Sequence, residues 1–156
     1  MTFGFTNWDS DKGTLRAGTI YRASSSNDKV WGEENKTNTD IEYGVFVAVN
    51  PDGGIKSVSA STDIIHGIVV RDIYGDKAPH NKQVNVGHFS HGDCVGAATA
   101  KSETFKRGDK VYIVASGEDA GKVSKTATNN IDLGYWVEYA SSGSQCVAIT
   151  LGYMKK

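Results

Sequence analysis

Two short stretches of the chain carry the same instruction. Gly92-Asp93-Cys94-Val95-Gly96-Ala97-Ala98 and Gly108-Asp109-Lys110-Val111-Tyr112-Ile113-Val114 each place a Gly-Asp corner directly before a small, alternating, mostly apolar run. Glycine reaches the backbone angles a tight corner needs, aspartate can bond nearby backbone, and the run that follows reads as a strand. Further glycine corners stand at Gly53-Gly54, Gly117, Gly121 and Gly143. A chain punctuated in this way folds back and forth as short strands.

The strand signal strengthens from Tyr43 onward. Gly44-Val45-Phe46-Val47-Ala48-Val49 is apolar at successive positions, the pattern of a strand covered on both faces. Pro51-Asp52-Gly53-Gly54 makes a turn, and Ile64-Ile65-His66-Gly67-Ile68-Val69-Val70 is a second β-branched run. Gln83 to Phe89 alternates as another strand. Near the C-terminus, Leu133, Tyr135, Val137 and Tyr139 are expected to share one face, opposite Gly134, Trp136 and Glu138. After the Ser141-Ser142-Gly143 corner, Val147, Ile149, Leu151 and Tyr153 point one way, and Cys146, Ala148 and Thr150 the other. These two runs read as a closing hairpin. No segment sustains a 3.6-residue apolar period, and Lys101 to Lys106 is at most one helical turn.

The expected fold is therefore all-β: a single β-sandwich, jelly-roll-like or barrel domain of about nine to eleven short strands with almost no helix. Residues 1–40 are polar, with two strand-like pieces at Leu15 to Tyr21 and Lys29 to Trp31, and are expected to form an extended N-terminal arm. Residues 41–156 are expected to form the body. The arm carries large aromatics, among them Phe3, Phe5, Trp8, Tyr21 and Trp31, a composition suited to docking on another surface.

Composition narrows the function. The chain has 156 residues, enough for one domain with its own core, a hydrophobic fraction of 38% and 18 glycines, which suits a thin β-protein with much exposed surface. Net charge is -1, and the nearest approach to a basic cluster is Lys155-Lys156, so nucleic acid is not an expected partner. No apolar stretch approaches the ~20 residues of a membrane-spanning helix, and the first residues lack the basic start and apolar run of an export signal. No membrane partner is expected, and synthesis in a cytoplasm is.

Sites of chemistry are sparse. His88 and His91, three apart on a strand, face opposite sides, and no ligand set at zinc spacing accompanies them. Asp9-Ser10-Asp11-Lys12-Gly13, preceded by Asn7, places its glycine late for a calcium loop and has Gly18 at the twelfth position. Arg107-Gly108-Asp109 spells an integrin-binding tripeptide, but His91-Gly92-Asp93 shows that the Gly-Asp belongs to a corner both strands share. Cys94 and Cys146 read as buried thiols, with a bridge between neighbouring strands left open. Asn35-Lys36-Thr37 has the form of a glycosylation sequon but lacks an export signal to accompany it. No catalytic elbow, phosphate loop or dinucleotide fingerprint is present. A non-enzymatic protein without metal or cofactor is expected.

Taken in order, these motifs resemble those of the tailed-bacteriophage structural cement, or capsid decoration, proteins. The likeness runs from the Tyr43-Gly44-Val45 strand entry through Ile65-His66-Gly67-Ile68-Val69-Val70-Arg71 and the paired Gly-Asp strands. It ends with Ile131 to Ala140 leading past Gly143 into Val147-Ala148-Ile149-Thr150-Leu151. It covers roughly residues 43 to 151, and the polar first forty residues fit it less well. The resemblance implies a non-enzymatic virion protein, assembled in the host cytoplasm, that sits on the outer capsid surface and stabilises the shell by bridging neighbouring major capsid subunits. It also implies a homo-oligomer, with a trimer favoured over a dimer. Phe3, Phe5, Trp8 and Trp31 are the candidate capsid contacts. The competing readings are a carbohydrate-binding or adhesin-type β-sandwich module, a small β-barrel hydrolase, and a phage head-completion or tail component.

Overall fold

A computed structural model describes residues 15–23, 29–72, 75–140 and 145–152. Among them are thirteen strands and no helix: β1 (Ile20–Arg22), β2 (Val30–Glu34), β3 (Ile41–Glu42), β4 (Phe46–Val49), β5 (Ile55–Ser57), β6 (Ile65–Val69), β7 (Lys77–Ala78), β8 (Gln83–Gly87), β9 (Cys94–Ala98), β10 (Tyr112–Ile113), β11 (Val123–Ser124), β12 (Trp136–Ala140) and β13 (Cys146–Thr150). The number exceeds the nine to eleven expected because β3, β7, β10 and β11 are two-residue pairs, too short to leave an alternation in the sequence.

Two main sheets carry the fold. One has four strands in the order β1-β9-β13-β12, the other five in the order β2-β8-β6-β4-β5, and β10-β11 and β3-β7 form two small accessory sheets. A parallel bridge between Asn35 and Ile55 joins the ends of β2 and β5, so the five-stranded sheet curls on itself at one end. β1 and β2, both within residues 1–40, pair with β9 and β8 respectively and are integral to the two sheets.

Each main sheet packs apolar side chains on both faces of its central strands. In β4, Phe46 enters a cluster with Ile68, Val95, Ala97, Val137, Val147 and Ile149, which joins the two main sheets. Its neighbour Val47 points the other way, into a second cluster with Ile55, Val69, Val84 and Val86 that Ile41, Tyr43 and Ala78 cover. The four-stranded sheet repeats the arrangement. Val147 and Ile149 face the shared core, while Cys146 and Ala148 face a third cluster with Leu15, Cys94 and partly buried Tyr21 and Tyr139. Phe46, Ile68 and Ile149 are essentially inaccessible, each contributing roughly 1.5–3 kcal/mol by burial.

The Gly-Asp corners fold as twins. Gly92 and Gly108 have φ of 88° and 91°, the left-handed angle that the third residue of a type II turn needs. In each turn the aspartate carboxylate accepts the N–H three residues back, from Ser90 at 2.9 Å and from Lys106 at 2.8 Å. The aspartate's own N–H returns to the carbonyl of that same residue at 3.1 Å in both.

The expected face sharing in the last hairpin fails at one point. Val137 pairs with Ile149 but Tyr139 pairs with Ala148, so Glu138 is an extra residue in the ladder. This bulge turns Tyr139 away from the shared core and onto the Cys94–Cys146 side. Leu133 lies outside the strand and is exposed. Tyr153 and the Ser141-Ser142-Gly143 corner lie outside the described residues. Cys94 stands opposite Thr150, and Cys146 opposite Ala98, at opposite ends of the β9–β13 ladder. Four residues of strand separate them by about 13 Å, too far for a disulfide. Burial pushes the Cys146 thiol up to about 12 and raises that of Cys94 as well.

Candidate functional site

Phe3, Phe5 and Trp8 lie outside the described residues; Trp31 is described. It sits on β2, the edge strand of the five-stranded sheet, and remains 44% exposed. Register explains where it points. Trp31 pairs with Val86 and Glu33 with Val84, so both share the face of those buried valines, at the sheet's margin. His88, two residues beyond Val86, continues that face.

His66 reaches the same place through a bulge. Gly67 pairs with Val47, but Ala48 pairs with Ile65, leaving His66 as an extra residue on β6. Such bulges re-aim a side chain that regular alternation would send to the opposite face. Beside it, a Cβ on Gly67 would lie 2.4 Å from the Gly87 carbonyl oxygen, so a bare glycine is what lets β6 and β8 close here.

The four side chains form one connected group. The rings of Trp31 and His88 stack at 3.4 Å between centroids with planes 10° apart. Trp31 Nε1–H donates to Glu33 Oε1 at 3.0 Å. His66 Nε2 lies 3.1 Å from the same oxygen, and His66 Nδ1 lies 2.9 Å from His88 Nε2. An exposed tryptophan is thus held in one orientation by a stack on one side and a hydrogen bond at its edge. Behind the group, the His88 backbone N–H donates to the Lys29 carbonyl, and the Lys29 ammonium pairs with buried Asp93 of the first Gly-Asp turn. From the end of β1, Arg22 Nε reaches the Gly92 carbonyl at 2.5 Å, and its guanidinium grips Glu138 through two bonds of 2.8 and 2.6 Å.

Other features marked in the sequence resolve as structure. Asn35 of the sequon is fully buried, its amide donating to the Thr39 and Pro79 carbonyls. The Asp109 carboxylate of Arg107-Gly108-Asp109 is engaged by its own turn, and the Arg107 guanidinium lies over the Tyr139 ring at 5.4 Å. The Asp9–Gly13 segment lies outside the described residues. Among the described residues no three His, Cys, Asp or Glu are placed to hold a metal ion. Two open grooves flank the Arg16–Ile20 segment. One, of about 650 Å³, is lined by Ile20, Val30, Val70, Arg71 and Asn85. The other, of about 370 Å³, contains Glu42, which lies 3.9 Å from Lys77 and 3.8 Å from Lys122.

Sequence reasoning singles out Trp31 but not the side chains that hold it. His66, on β6, and His88, just past β8, are 22 residues apart, and the bulge that unites them leaves no mark in the apolar pattern.

The model of the XM1 gp53 minor capsid protein family matches residues 5–151. The chain belongs to that family. Its fold is similar to that of a chain in the capsid of Myoviridae phage XM1, with a TM-score of 0.68 and 21% identity over 91% of this chain and 92% of that one. No curated protein matches the chain. Membership gives the protein a structural role in a bacteriophage virion, in association with the capsid. The likeness to cement and decoration proteins read from the motif order agrees with this placement.

Proposed function

We propose that the protein is a cement protein that binds the outer face of the assembled capsid and bridges neighbouring major capsid subunits. The observation that carries this reading is Trp31. It is a large aromatic kept exposed yet immobilised by Glu33 and His88, on an edge strand. Preorganised aromatics make strong anchors because little side-chain freedom is lost on binding. The edge of β2 offers main-chain groups on which a capsid strand can extend the sheet. Phe3, Phe5 and Trp8 supply further anchors from the N-terminal segment.

A homo-oligomer, best a trimer, places several such anchors on one particle, so moderate single contacts combine through effective concentration. Bound only to the assembled shell, it stabilises that state by mass action and makes or breaks no covalent bond. The test is titration of purified capsids with the parent chain and with Trp31→Ala. Loss of about 2 kcal/mol, roughly a 30-fold weaker affinity, is expected for a central aromatic anchor. Unchanged occupancy by a folded Trp31→Ala chain would remove Trp31 from the contact.

A further inference from the structure

Tryptophan 31 rests on a pair of histidines whose hydrogen bonds are all met with both rings neutral. The Glu33 carboxylate can only accept, so His66 Nε2, at 3.1 Å, carries the proton. His66 Nδ1 is then an acceptor, and His88 Nε2, at 2.9 Å, is its donor. This leaves His88 Nδ1 as a bare nitrogen, buried and without a hydrogen-bond partner among the described residues. Added protons have no good place to go. On His88 Nδ1, a proton makes a buried donor in no hydrogen bond among the described residues, and the nearby Lys29 and His66 carbonyls offset only part of the cost of burial. On His66 Nδ1, it turns the ring–ring bond into two opposed donors unless His88 moves its own proton to that same buried nitrogen.

We propose that this pair is a pH-sensitive seat for Trp31, closed when both rings are neutral and opened by acid, so that docking through Trp31 weakens as pH falls. The inference rests on the reading of Trp31 as a capsid contact. Among the described residues, the groups facing the two rings are few. Glu33 on β2 faces His66, and Lys29 offers His88 its backbone carbonyl while its ammonium turns to Asp93 and Ser90. On β6 and beyond β8 the facing groups are the histidines themselves. Burial first, and the charge of His66 second, hold the His88 imidazole below its usual value. The sign follows: the closed seat binds fewer protons than the open one, so closure is complete above the ordinary imidazole range near ~6.5 and is lost as pH falls below it.

The experiment uses the full chain labelled with 5-fluorotryptophan, the resonance of position 31 being assigned with Trp31→Phe. Between about pH 8 and 5 that resonance is expected to titrate. In the double variant His66→Gln/His88→Phe, which keeps an aromatic platform and a donor to Glu33 and removes both imidazoles, it is expected to stay fixed. Nitrogen-15 shifts of the parent's histidines, which need no variant, should show Nδ1 unprotonated in both rings above about pH 7. Capsid affinity of the parent should fall about tenfold per pH unit across the transition, and that of His66→Gln/His88→Phe should not.

A Trp31 resonance that ignores pH, the same titration in His66→Gln/His88→Phe, or a protonated His88 Nδ1 at neutral pH would each overturn the switch. If Trp31→Phe still weakens capsid binding at neutral pH while the parent's resonance does not titrate, the docking reading stands and the switch alone falls. If the resonance titrates but capsid affinity follows neither pH nor Trp31, it is the docking reading that fails.

Discussion

The turns at Ser90–Asp93 and Lys106–Asp109 share their glycine angle, their carboxylate bond and their returning N–H bond, yet the chain does different things after each. The first leads into β9, five buried residues flanked by β1 and β13. The second leads to β10, two residues in an accessory pair. Asp93 is buried and joined to the Lys29 ammonium, and Gly92 accepts from Arg22. Asp109 remains partly exposed, and its turn is tied down by backbone bonds to Val137. Local chemistry makes the corner in both places. Long-range charge decides which corner becomes a fixed point, and the fixed one is where the approach to β2, and so to Trp31, is anchored.

The largest expected difference between the twins lies in their carboxylates. Asp93→Asn leaves a lysine ammonium without its buried partner and should cost about 3–5 kcal/mol, against about 0.5–1.5 kcal/mol for Asp109→Asn, which weakens one turn bond. Urea unfolding of the two variants reads the gap directly, and equal losses would mean that the Lys29 pair adds nothing. Gly92→Ala and Gly108→Ala should instead match each other at about 1–2 kcal/mol, since both glycines have positive φ and open space around a new Cβ. Unequal losses there would show that the turns differ in ways beyond the aspartate's partner.

A third corner sharpens the comparison. Ala60 N–H donates to Asp63 and Asp63 N–H returns to the Ala60 carbonyl, the same pair of bonds with Thr62 where the twins have glycine. The Lys56 ammonium, with the Ser59 N–H, holds the Asp63 carboxyl below the usual carboxylate range. Its contribution is therefore full above about pH 4 and lost as pH falls through the lowered value. Asp63→Asn should lower stability by about 1 kcal/mol at neutral pH and converge with the parent in strong acid. A constant difference at all pH values would contradict the assignment.

Much of the sheet architecture was legible because burial on two faces writes itself as unbroken apolar runs. Val45 to Val47 and Cys146 to Ile149 read correctly for that reason, with alternate residues delivered to separate cores, while Val49 at the end of the first run is exposed. What escaped was parity. A single extra residue at His66 and another at Glu138 reverse the alternation beyond them, and nothing in side-chain type marks an insertion in a hydrogen-bond ladder. The candidate site suffered most from this. Trp31 stood out as a large aromatic in a polar stretch, but the Glu33, His66 and His88 that hold it come from three places brought together by strand order and a bulge. The two-residue strands were lost for a simpler reason, since two residues carry no period.

The most direct test is a density map of the decorated capsid at side-chain resolution. With the account correct, the Trp31 ring lies buried against a capsid subunit, still stacked on His88. A Trp31 ring facing solvent on a fully occupied particle would contradict it.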